Sequence, residues 1–235
     1  MENIEILKQM FLMQQRLNDE TNGKKWEEGT AQNGKLINWK RCIYMECAEL
    51  IDSFSWKHWK SINQKANSEN IKIELTDIWH FIMSLVLEKA YPNKNIDDIV
   101  KDIISVSGFR DFTLEAYSMS EYNLYEIIND IEIIIHECSG FELKIHELLT
   151  NFFRLSLKCG LNLNELFEKY VGKNVLNKFR QDHGYQNGTY VKIWNGKEDN
   201  EVLSQILNLG VINMDEIYKK LDENYKKNQK INFKK

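Results

Sequence analysis

Proline occurs once in the 235 residues, at Pro92, and almost no stretch alternates β-branched with polar side chains. Proline removes a backbone donor and breaks a helix interior, so its near absence leaves long helices free to run. Apolar residues recur at three- and four-residue spacings nearly throughout. Together these features predict an all-α fold, a multi-helix bundle. Helices are expected near 2–20, 38–56, 69–90, 96–105, 121–138, 142–159, 162–181, 199–208 and 213–227. Two stretches rich in Gly and Asn, 21–37 and 182–198, read as loops. Loops of that length often carry function. We expect one domain over 1–227 and a disordered lysine-rich tail at 228–235.

Two helices carry the chemistry. ECAEL (46–50) and ELTDIWH (74–80) each set two carboxylates three residues apart in an apolar, helix-forming stretch. At 100° per residue, Ile43, Cys47, Leu50 and Phe54 form one apolar stripe within about 40°. Glu46 and Glu49 lie about 60° and 120° to one side of it. Ile71, Leu75, Ile78, Ile82 and Leu85 form a second stripe, with Glu74 and Asp77 at the same offsets on the same side. Packed stripe to stripe and antiparallel, the helices bring four acids to one edge. The short connection after Trp59 favours that arrangement.

Four such acids repel one another, and a divalent cation neutralises them. An all-oxygen donor set suits Mg²⁺ or Mn²⁺ better than zinc, and two or more ions there clamp a polyphosphate. The bland alternative for either motif alone is a solvated helix face. A di-iron carboxylate bundle wants two ExxH motifs, and only Asp77–His80 has a histidine at that spacing. Asp52, opposite the stripe, reads as surface.

Around the acids stand candidate ligand groups. Lys173, Asn177 and Arg180 recur at i, i+4 and i+7, and Tyr185, Tyr190 and Lys192 follow. A row of cation, amide and cation suits phosphate oxygens; the alternative is a solvated face and a surface loop. Gln14 and Asn18, one turn apart, can read the donor and acceptor edge of a flat heterocycle, or be surface amides. Trp56 and Trp59 in WKHWK either stack on a base or pack in a core. His80 either lines a pocket or is exposed.

The net charge of −4 provides no basic field for nucleic acid, and no apolar run reaches the roughly 18–20 residues that span a bilayer. No charged, apolar, small-residue leader opens the chain, and Cys42, Cys47, Cys138 and Cys159 form no CxxC pair. The expectation is therefore a soluble cytoplasmic protein with reduced, structural thiols.

Four blocks in order carry a family resemblance: LNDETNG (17–23), RCIYMECAELIDSFSWKHWK (41–60), IELTDIWHF (73–81), and GKNVLNKFRQDHGY (172–185) followed by GTYVKIWNGKEDN (188–200). The chain resembles the dimeric all-α dUTP diphosphatases, relatives of the MazG-like nucleotide pyrophosphatases. The stretch 90–120 matches no block and is read as a variable connection. The resemblance implies a homodimer that hydrolyses dUTP, and dUDP, to dUMP with Mg²⁺ held by Glu46, Glu49, Glu74 and Asp77. Water attacks a phosphorus in line, by analogy the β one, and Glu49 takes its proton. The resemblance also implies that Gln14 and Asn18 address uracil, Trp59 packs by the base, and His80 and Phe81 contact the deoxyribose. Lys173, Asn177, Arg180, Tyr185 and Lys192 then hold phosphates, with 182–198 as a lid loop.

Uracil specificity does not follow from the residues themselves, so a pyrophosphatase for dCTP or of broader range is the near alternative. A non-enzymatic nucleic-acid binder using WKHWK and GTYVKIWNGK is the distant one. It has no use for paired acids.

Overall fold

A computed structural model of the chain describes residues 2–60, 68–114 and 122–232, with side chains to Asn228. The helices are α1 (Asn3–Asn22), α2 (Trp39–Asp52), α3 (Ser68–Ala90), α4 (Ile96–Ile104), α5 (Phe109–Phe112), α6 (Leu124–Ser139), α7 (Ile145–Lys158), α8 (Leu163–Asp182), α9 (Asp199–Leu207) and α10 (Met214–Asn232). Strands β1 (Ile193–Trp194) and β2 (Lys197–Glu198) are the only ones among the described residues. The fold is all-α, as the periodicity predicts. Two compact units divide the chain at 167/168, inside α8.

In the first unit the helix starts follow from local chemistry. Asn38, Asn95 and Asn123 cap α2, α4 and α6, each side chain accepting a first-turn backbone N–H. Helix α2 ends at Asp52, short of the expected residue 56. The start of α6 is set by Asn123; residues 115–121, where that helix and the end of the variable connection were expected, lie outside the described residues.

Helices α2 and α3 pack on each other. Every residue of the two predicted stripes is buried, each contributing ~1.5–3 kcal/mol of apolar burial. The pair is antiparallel: Asn70, in the first turn of α3, donates to Ser53 Oγ just past the end of α2 at 2.7 Å, while Glu46, two turns back on α2, meets residues further along α3. Beyond the acids, α3 is buried nearly all round. Its Trp79 stacks on Phe152 of α7, with ring centres 5.2 Å apart. Phe112 of α5 stacks on Phe153 at 4.9 Å, so the described part of the stretch 90–120 contributes to this core.

The second unit is built on Phe179 of α8, ringed by His183, Tyr190, Trp194, Tyr218 and Tyr225. Gly172 lets α9 approach α8: a Cβ there would lie 2.8 Å from Leu207 Cδ1. The segment 182–198, expected as a loop throughout, contains a β-hairpin. Asn195 and Gly196 both have positive φ, 52° and 83°, the turn that Asn-Gly favours between two short strands. Helix α10 runs to Asn232, beyond the expected residue 227. Asn228 Oδ1 accepts from Asn195 N at 3.0 Å, tying the helix to the hairpin. Residues 233–235 lie outside the described residues.

Candidate functional site

The antiparallel α2 and α3 place Glu46, Glu74 and Asp77 together, with one carboxylate oxygen of each within 4.8 Å of the others. Glu74 is 8% exposed and accepts from Asn70 Nδ2 at 3.1 Å. Asn70 therefore links the end of α2 to the acid. Glu49, one turn beyond Glu46, is exposed and is not part of the group of three. Like charges 4.8 Å apart repel by about 3–4 kcal/mol per pair at an effective dielectric of about 20. The geometry thus suits a hard divalent cation, and the all-oxygen donors fit Mg²⁺ or Mn²⁺.

Further along α3 a buried polar group joins α1. His80 Nδ1 lies 2.8 Å from Gln14 Oε1. Gln14 Nε2 donates to Asn18 Oδ1 at 3.1 Å and to Ser84 Oγ at 3.0 Å. Asn18 Nδ2 also donates to Ser84 Oγ, at 3.0 Å. Gln14, Asn18, His80 and Ser84 are all buried, so neither amide is a surface group and His80 is not exposed.

Aromatic rings from α2 and from the segment before it meet the same helix. Phe81 stacks on Trp39, 6.0 Å between centres, and Trp26 meets Trp39 edge-on at 5.7 Å. Asp19 fixes Trp26 by accepting from its Nε1 at 3.1 Å, which gives the LNDETNG block a second purpose. Trp59 is 61% exposed, which excludes the core-packing alternative for it.

In the second unit the basic row is engaged with the acidic end of the hairpin. Arg180 Nε and Nη2 donate to Asp199 at 2.9 and 2.8 Å, and Tyr190 Oη donates to the same carboxylate at 2.8 Å. Lys173 Nζ donates to Asn200 Oδ1 at 3.0 Å, and Arg180 Nη1 to Asn177 Oδ1 at 3.3 Å. The Arg180 guanidinium lies over the Tyr185 ring, 5.9 Å from its centre. Lys192 is exposed. Burial pushes the Asp199 carboxyl up, but the hydrogen bonds and charge of Arg180 outweigh it and hold the group below its ordinary range.

Sequence reasoning missed Ser84, Trp39 and Asp199. A small hydroxyl inside a fully buried helix leaves no pattern, and Asp199 declares itself only through the EDN that closes its block.

All four cysteines are free thiols, and no described helix is long and apolar enough to cross a membrane. A family model described as dUTPase matches residues 6–185. No curated protein matches the chain.

Proposed function

This chain belongs to the dUTPase family and is an enzyme that hydrolyses dUTP, and we propose that it releases dUMP and pyrophosphate, accepts dUDP as well with release of phosphate, and depends on Mg²⁺, for which Mn²⁺ can substitute. The observation that carries the reading is the group Glu46, Glu74 and Asp77, three carboxylates within 4.8 Å on two helices covered by the family match. These residues, with Glu49 beside them, would hold the ions. When bound, the metal supplies positive charge to phosphate oxygens and activates water.

The remaining steps belong to side chains of the chain. Asn18, backed by Gln14, addresses uracil; His80 and Phe81 address the sugar; and Trp59, with its exposed face, packs by the base. The exposed Glu49 accepts the proton of the attacking water. For Lys173, Asn177, Arg180, Tyr185 and Lys192 we propose phosphate contacts, on the resemblance and on their donor chemistry. We propose a homodimer as well, to be checked by sedimentation, and a cytoplasmic location, which the free thiols support.

Phosphorus NMR of dUTP and dUDP turnover tests the reaction. The expected products are dUMP with pyrophosphate from the first and with phosphate from the second, and a chelator should stop both. Turnover that persists in chelator, or a different phosphorus product, would overturn the reading.

A further inference from the structure

Beyond the carboxylates, the same edge of the α2–α3 pair continues into two neutral side chains. Seven residues along a helix turn through about 700°, within about 20° of two full turns, so Ser53 follows Glu46 on α2 and Asn70 precedes Asp77 on α3. The helices run antiparallel, and Asn70 Nδ2 donates to Ser53 Oγ at 2.7 Å. The same nitrogen donates to Glu74 Oε1 at 3.1 Å. One half-buried amide thus touches both helices, and one of its partners belongs to the group of three carboxylates.

The sense of that amide is fixed by its partners. Ser53 Oγ sends its hydrogen back to Glu49 O at 3.3 Å, so it meets Asn70 as an acceptor. An ionised carboxylate is acceptor-only as well. Turned over, the amide would set its carbonyl oxygen against both, which leaves two acceptors facing a third. A carboxylate offers about four lone-pair sites, so Asn70 engages one and does not block the approach of a cation. Held in this way, Glu74 has already given up rotamer freedom that it would otherwise lose when an ion binds. Glu46 reaches the group from the other helix, and the Ser53 bond holds the end of that helix to the first turn of α3.

We propose that Asn70 is a positioning residue for the divalent ion: by donating to Ser53 and Glu74 at once, it pre-sets the Glu74 carboxylate beside those of Glu46 and Asp77 and raises the affinity of the site. Groups that orient a metal ligand in this manner are commonly worth about 10–100-fold in metal affinity. The inference rests on the reading that the three carboxylates hold the ion, and it deepens that reading by naming what arranges them. The competing role is a plain fastening of one helix to the other, which would change stability and leave affinity alone.

The test measures the Kd for Mn²⁺ by electron paramagnetic resonance on folded protein, in the parent, Asn70→Ala, Asn70→Leu and Glu74→Gln, with the urea midpoint of each in chelator. Asn70→Leu keeps the branched shape and removes the donor. Both Asn70 variants should raise the Kd about ten-fold or more. An unchanged Kd beside a lowered urea midpoint would assign Asn70 to fastening and overturn the proposal. A rise in Asn70→Ala that Asn70→Leu does not share would assign the effect to lost packing, and would overturn it too. Glu74→Gln separates the two layers. If it weakens Mn²⁺ binding and the Asn70 variants do not, the positioning role fails and the metal reading stands; if it binds Mn²⁺ as the parent does, the metal reading itself fails. Should Asn70→Ala not fold, Asn70→Leu decides alone, and should neither fold, the role is structural and the proposal falls.

Discussion

Replacing Glu74 with Gln asks whether this carboxylate is held for a cation or for the fold. Glu74 is 8% exposed, and its oxygen lies within 4.8 Å of one on Glu46 and one on Asp77. Two unit charges at that separation repel by about 3–4 kcal/mol at an effective dielectric of about 20. The substitution removes two of the three repulsions and keeps the shape, and Asn70 Nδ2, 3.1 Å from Glu74 Oε1, still finds a carbonyl oxygen. Glu46 and Asp77 are half-buried, so water and salt screen the charges and the net relief is ~1–3 kcal/mol. Glu74→Gln should therefore be more stable than the parent in chelator by that amount, by urea unfolding at matched ionic strength. Mg²⁺ at a hundred times its Kd should stabilise the parent by about 2.7 kcal/mol and the variant far less. Turnover of dUTP should fall at the same time. Lower stability of the variant in chelator, or an equal gain from Mg²⁺, would refute the reasoning.

Three further outcomes are open to measurement. Glu49→Gln should keep Mg²⁺ binding yet lose about 10²–10⁴ in kcat, the usual cost of a missing general base; near-normal kcat with intact metal binding would reject Glu49 in that role. Asp199 should make the second unit acid-labile: its folded pKa is depressed, so its stabilisation is complete above the unfolded carboxyl value of about 3.9 and is lost as pH falls through the folded value. Trp194 fluorescence should report that loss below about pH 4, and Asp199→Ala, which strips the buried pair with Arg180, should cost about 3–5 kcal/mol at neutral pH; an acid profile unchanged by the substitution would contradict this. Burial pushes the Cys138 and Cys159 thiols up to about 12, so at pH 8 about one in ten thousand is thiolate, and alkylation of the folded protein should start at half-buried Cys42, with early labelling of Cys138 or Cys159 as the contrary result.

The stripes of α2 and α3 were legible because both helices have an apolar face with polar residues beside it, and the offsets of Glu46, Glu74 and Asp77 from those stripes follow from the helical period alone. The same arithmetic gives Glu49 the offset of Asp77, and does not tell that Glu49 is the one of the two that turns toward water. Around Ser84 periodicity is silent: α3 is buried nearly all round, so a polar residue there stands out only once α1 is known to pack on it. Trp39 was hidden for a similar reason, since its partners Trp26 and Phe81 are distant in sequence. The Asn195–Gly196 turn was readable in principle, because Asn-Gly following the apolar pair Ile193–Trp194 is a hairpin signal. The contact of α10 with the hairpin was not, because Asn228 meets a residue 33 positions away.

Manganese binding followed by electron paramagnetic resonance, on the parent and on the protein carrying Glu46→Gln, Glu74→Gln and Asp77→Asn together, tests most directly whether these carboxylates hold the ion that hydrolysis needs. The account predicts that the parent depletes the free Mn²⁺ signal and hydrolyses dUTP with the bound ion, and that the triple variant, folded by circular dichroism, does neither. Undiminished Mn²⁺ binding in the triple variant, or dUTP hydrolysis by it at the parent's rate, would contradict the claim.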